Sequence, residues 1–270
     1  MGILSRIKQE IIYALSPVER ARCKELCRGA DIAGRYKRVY FYHIRKCGGT
    51  SLTQAFLALS GGQPTQELYE RLCKRPNYRL INGGKVYVGF NQKLLEEGNY
   101  FYGFSQIPVY ELSLPPDTFT IVSLRDPVAR VFSHYKMINE LEITKARHPV
   151  LPVEKKWIGK SFSDFLERIP RKHLLRDVYM FSKTYDPQEA FENIARCSYC
   201  YFVEDLAGAM QELSARLHIG LRALHARRGG IKMPLSEAEY EQARLKLKPS
   251  YDLVEKLKKY APAADAAGQP

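Results

Sequence analysis

The chain has no apolar run approaching the ~20 residues that a membrane-spanning helix needs. Its start, "MGILSRIKQEIIYALSPVER", lacks a long apolar h-region and a small-residue cleavage site, and Arg6 stands where a myristoylation signal has Ser or Thr. A soluble, unsecreted, cytoplasmic protein is expected. Cysteine is scarce: six in 270 residues, at 23, 27, 47, 73, 197 and 200, too few for a disulfide scaffold and suited to a reducing compartment. Cys23/Cys27 and Cys197/Cys200 could together supply four zinc thiolates. They sit in helix-like and strand-like contexts without knuckle residues, so packed or idle thiols are the expectation. Acidic residues are also under-supplied, 29 Asp and Glu against 42 Lys and Arg, and the resulting +13 favours an anionic partner without choosing among them.

What is present reads as one α/β domain. Residues 1–35 form a helical extension with Ile3, Leu4, Ile7, Ile11 and Leu15 on one face, docked on the domain and making at most weak contact with a membrane surface. The domain proper spans 36–260, and "APAADAAGQP", 261–270, is expected to be a disordered tail. Strands are expected at 37–44, 85–90, 99–104 and 118–124, and in "SYCYFVED". Helices are expected at 49–59, from Pro127 onward, at 187–196, in "LAGAMQELSARL", and in two final segments divided near Pro249. The basic stretch "KARHPVLPVEKKW" reads as a long open loop, either substrate-facing or a surface bulge. Alternating β and α elements without a linker or repeat predict a central, largely parallel sheet flanked by helices.

Two strand-to-helix passages carry chemistry. In "HIRKCGGTSL" a strand ends and a helix begins, so backbone N–H groups and aligned peptide dipoles converge on one spot. Gly48 and Gly49 allow close backbone approach, Thr50 and Ser51 add hydroxyl donors, and Lys46 adds a mobile charge. This is a phosphate cradle. A P-loop NTPase would place its Lys after the glycines, whereas Lys46 precedes them. In the second passage Arg125 ends a strand and Ser133 follows on a helix, a fork and a hydroxyl suited to a second phosphate.

Together the segments resemble the sulfotransferases that use 3′-phosphoadenosine 5′-phosphosulfate (PAPS). "HIRKCGGTSL" is similar to their 5′-phosphosulfate loop, H-I-P-K-T-G-G-T-S, and "IVSLRDPVARVFSHYK" to their 3′-phosphate segment, R-D-P-x-x-R-x-x-S-x-Y. The likeness runs from about 38 to 260 and is nearest to the carbohydrate 2-O-sulfotransferase-like branch. It implies a P-loop-like sulfotransferase fold, with Arg45, Lys46, Cys47, Gly48, Gly49, Thr50 and Ser51 at the 5′-phosphosulfate and Arg125 and Ser133 at the 3′-phosphate. It further implies Arg228 in a closing loop, Lys46 as a catalytic group, no required metal and no nucleic-acid partner. The acceptor is left open among glycan, lipid-linked sugar, peptide and small molecule.

Three departures stand out. Arg45 replaces the Pro before the Lys, Cys47 stands where Thr or Ser is common, and Gly103-Phe104 replaces a Gly-His that would supply the general base. His43 and His134 are the candidate replacements, with Glu67, Glu70 and Glu111 as further options. The rival readings are a nucleotide kinase or ATPase with a degenerate loop, and a noncatalytic basic protein that binds anions.

Overall fold

The structure, a computed structural model, describes residues 17–28, 32, 34–62, 64–73, 78–224 and 231–267, with side chains as far as Tyr260. The amphipathic face expected from Ile3 to Leu15 lies outside these residues. Six strands, β1 (Arg38–Tyr42), β2 (Arg79–Asn82), β3 (Lys85–Gly89), β4 (Tyr102–Ser105), β5 (Thr118–Leu124) and β6 (Tyr199–Phe202), make one sheet in the order β2-β3-β4-β1-β5-β6. All neighbours are parallel except the β2/β3 hairpin, where Gly83 and Gly84 both take positive φ, as a tight hairpin turn requires. The largely parallel sheet flanked by helices is therefore present.

Ten helices bear on the argument: α1 (Pro17–Arg28), α2 (Gly49–Ala58), α3 (Thr65–Cys73), α4 (Gln92–Glu97), α5 (Pro127–Ile143), α6 (Leu151–Glu154), α7 (Phe162–Arg168), α8 (Arg171–Leu174), α9 (Arg176–Tyr179) and α10 (Pro187–Ala195). Three more complete the described chain: α11 (Leu206–Leu217), α12 (Glu237–Lys246) and α13 (Lys248–Ala267). The last of these runs past 260, into the stretch expected to be a disordered tail; its alanine content favours helical backbone there.

Strand alternation decides what covers each face. Val39 and Phe41 of β1, with Phe119 and Ile121 of β5, pack under Leu52, Ala55 and Phe56 of α2 and Met210 and Leu213 of α11. Tyr40 and Tyr42, with Val122 and Leu124, pack against Leu94 and Leu95 of α4, Ile194 of α10 and Leu253 of α13. β1 is buried on both faces, which is why it reads as a continuous apolar and aromatic run.

A third cluster, built by Val131, Tyr135 and Ile138 of α5 with Trp157, Phe162 and Phe165, lies beside the sheet. It absorbs the stretch expected to be an open basic loop. Leu151–Glu154 is helical, Lys155–Trp157 is a 3₁₀ turn, and both Glu154 and Trp157 are buried. One apolar anchor, Trp157, gives this insert a core of its own. Two elements had no strong sequence signal: α3, whose fully buried residues are Leu68 and Leu72, and the short edge strand β2.

Arg130 of α5, part of the R-D-P-x-x-R segment, is not at a ligand surface. It is 1% exposed and donates to the carbonyls of His173, at 3.3 Å, and Leu174, with Asp177 at 3.6 Å. Asp177 in turn accepts from Ser250 Oγ at 2.8 Å, so one buried charge pair joins α5, α9 and α13. Asp177→Ala leaves that guanidinium without its counter-charge and should cost about 3–5 kcal/mol. Chemical denaturation of the variant checks this; a loss of under about 1 kcal/mol would show the pair to be dispensable.

Candidate active site

The candidate site lies where β1, β4 and β5 end. In parallel α/β sheets ligands bind outside the carboxyl ends of the strands, at the point where the chain's connections diverge to either side. That point here is β1, with β4 on one flank and β5 on the other. Tyr42 pairs with Val122, so the chain leaving β1 and the chain leaving β5 emerge side by side.

Hydrogen bonds fasten the two exits together. Ser123 Oγ donates to the Cys47 carbonyl at 2.6 Å, and Arg125 donates to the Lys46 carbonyl at 3.4 Å. The two segments that the sequence suggested as halves of one grip are thus in contact. Lys46 has φ of 71° and Gly48 of 74°. A left-handed lysine costs on the order of 1–2 kcal/mol and is uncommon outside functional loops. Helix α2 begins at Gly48 with no side-chain cap, whereas Asp126 caps α5 by accepting from the Ala129 amide at 2.7 Å. The start of α2 is therefore the one of the two whose first amides no side chain caps.

The glycines are also required by what lies behind them. A Cβ on Gly49 would lie 2.2 Å from His43 Cδ2, and one on Gly48 would lie 2.5 Å from Val203 Cγ2. Packing behind the loop therefore forbids side chains there. His43 is held by its backbone amide to the Ser105 carbonyl at 2.8 Å, stacks on Phe41 at 5.4 Å and sits 5.8 Å from the Phe104 ring. Cys47 is buried, and burial pushes its thiol up to about 12, so it is a packed, protonated thiol. Thr50 and Ser51 open the helix and are half-buried, as are Lys46, Arg125 and Ser133.

Phe104, at the position of the missing His, is fully buried among Tyr69, Phe90, Tyr102 and His43. Glu67, Glu70 and Glu111 are exposed; Glu70 accepts from Gln66 Nε2 at 2.8 Å. His134 does not face the cradle: it is 2% exposed, packed between Trp157 and Phe165, and its Nε2 lies 2.9 Å from Glu154 Oε2. Arg45 is likewise committed, donating to Glu154 Oε1. Arg228 lies outside the described residues. The four-thiolate grouping is not formed: among the described residues no three His, Cys, Asp or Glu are grouped to hold a metal ion. Burial raises the Cys27 and Cys197 thiols to about 12.

Glu154 was missed from sequence, although a lone acid in a run of bases was a signal of sorts. Its hydrogen bonds from His134 and Arg45, and the Arg45 charge, outweigh burial and hold its carboxyl at about 2. Burial holds His134 and His173 at about 4, against an ordinary 6.5, so both are neutral at pH 7. The folded state thus binds fewer protons than the unfolded state between pH 4 and 6.5, and its stability is complete above that window and declines as pH falls through it. Thermal unfolding should therefore come earlier from pH 7 to pH 4.5, and His134→Gln, whose amide can still donate to Glu154, should flatten the decline. An unchanged slope would count against a buried neutral His134.

No match is found among curated proteins. The model described as the sulfotransferase family matches residues 28–248. That span takes in both strand-to-helix passages, the insert with Glu154 and every strand of the sheet, and on it the chain belongs to the sulfotransferase family.

Proposed function

We propose that the protein moves a sulfuryl group from PAPS to a hydroxyl or amine of an acceptor, with a sugar hydroxyl favoured by the likeness to the carbohydrate 2-O-sulfotransferase-like branch. The observation that carries this is the fastening of the Lys46–Ser51 loop to Arg125 at the C-terminal ends of adjacent parallel strands. One helix start without a side-chain cap, one flexible ammonium and one guanidinium there suit a ligand with two separated anionic groups. Bound there, the co-substrate would supply an activated sulfuryl group and depart as 3′,5′-adenosine bisphosphate.

In this reading the first amides of α2, with the Thr50 and Ser51 hydroxyls, hold the 5′ group, and Arg125 and Ser133 hold the 3′-phosphate. Lys46 donates to the oxygen on which charge develops as the bond breaks, the kind of contact that stabilises a transition state more than a ground state. Proton removal from the acceptor falls to His43, which packs on the loop, rather than to His134, whose Nε2 is tied to Glu154. All six cysteines are free, in keeping with a cytoplasmic setting.

Lys46→Gly separates chemistry from folding, because glycine accepts the positive φ without strain. It should keep the wild-type unfolding temperature or raise it, while transfer of labelled sulfate from PAPS falls by roughly 10²–10³-fold. Arg125→Ala should weaken 3′,5′-adenosine bisphosphate by about 10- to 100-fold in calorimetry. Stabilisation by ATP with Mg²⁺ but not by the bisphosphate would overturn the reading in favour of a kinase or ATPase.

Restoring the family histidine should not help. Phe104→His places an imidazole in a fully buried aromatic cluster and should cost about 1–3 kcal/mol of stability with no gain in turnover. A rise in kcat for this variant would show that position 104 faces the acceptor after all.

A further inference from the structure

Glu154 is buried, 20 residues from His134 and 109 from Arg45 along the chain, yet each of its two carboxylate oxygens has its own partner. Oε1 accepts from Arg45, the residue directly before Lys46. Oε2 lies 2.9 Å from His134 Nε2, and His134 directly follows Ser133. Because the carboxyl is held at about 2 it is acceptor-only, so His134 must carry its proton on Nε2 and donate. The side chains are 5% exposed for Glu154, 15% for Arg45 and 3% for His134, so this is an internal brace and not a surface ion pair.

We propose that Glu154 is a positioning residue that sets the spacing between the two anion-holding segments, one oxygen for each. The proposal rests on the PAPS reading of the site. Glu154 touches no ligand in this account. It acts through Arg45 on the backbone that carries Lys46 and through His134 on the turn of α5 that carries Ser133. It also fixes where α6 and Trp157 sit, because Glu154 closes α6 and the 3₁₀ turn ending in Trp157 follows directly. The insert between α5 and α7 is therefore tied to the cofactor loop through one carboxylate, and the side chain that replaces the family's proline serves as the attachment point. A proline fixes its loop by a locked φ; an arginine can fix it only through a partner, and Glu154 is that partner.

The test is a double-mutant cycle read by calorimetric titration with 3′,5′-adenosine bisphosphate, at a temperature well below each variant's unfolding midpoint. Glu154→Ala and Arg45→Ala should each weaken the bisphosphate by roughly 10- to 100-fold, the range found when outer-sphere partners of metal ligands are removed. The double variant should be no weaker than the worse single one, since both substitutions break the same brace. In turnover assays Glu154→Ala should raise the KM for PAPS more than it lowers kcat. Unchanged or tighter binding by Glu154→Ala, or strictly additive losses in the double variant, overturns the proposal. Should Glu154→Ala fail to fold, Arg45→Met with Glu154→Met removes both charges at similar volume, and unaltered affinity of that protein is equally fatal. If the wild-type protein does not bind the bisphosphate, the PAPS reading itself falls and takes this proposal with it.

Discussion

The parallel pairing of β1 with β5 is the constraint on which the site depends. Neighbouring strands lie about 4.8 Å apart, so with Tyr42 opposite Val122 the residues just beyond each strand are within side-chain reach of the other. A slip of one residue would turn Tyr40 and Tyr42 toward α2 and send Ser123 away from Cys47. Register is protected by burial on both faces of β1, and the two hydrogen bonds across the exits, each worth about 1 kcal/mol, only refine it. The left-handed backbone at Lys46 is affordable on this footing, because its cost of about 1–2 kcal/mol is small beside the burial of β1.

The parts of this arrangement that were readable from sequence are those encoded locally. Strand β1, the glycine loop, α2, β5 and the start of α5 each carry their own signals within a dozen residues, and Arg125 meets Lys46 because both follow neighbouring strands. What was not readable is what depends on distant partners. Arg130, four residues from a candidate ligand-facing end of α5, is instead taken up by the carbonyls of His173 and Leu174 and by Asp177, none of them near it in the chain. Gly48 and Gly49 read as clearance for a ligand, and the part Val203 and His43 play in requiring them could not be seen from sequence. Glu154 sat in a stretch with no periodicity, and although a lone acid among bases was a weak signal, its partners Arg45 and His134 are too far along the chain to be read from it.

Phe104 is matched to its neighbours in a way a histidine would not be. An imidazole at this position would need hydrogen-bond partners in a cluster made of Tyr69, Phe90 and Tyr102, whereas a phenyl ring packs there without them. The same cluster borders His43, so the loop rests on an aromatic floor. On the PAPS reading, charges above such a floor would act through a lower effective dielectric than in water, which would strengthen Lys46 and Arg125 toward an anion without adding further cations.

That economy bears on Arg45. Replacing the family's proline with arginine places one more positive charge beside the loop. A free guanidinium at that position would turn toward a bound anion and draw the loop with it, out of line with Arg125 and Ser133. Glu154 holds the guanidinium by a charge-assisted bond and so keeps it as a mechanical anchor. On the PAPS reading, the pair therefore fixes the loop by an arginine where the family uses a proline, and the anion is left to the α2 amides, Lys46 and Arg125.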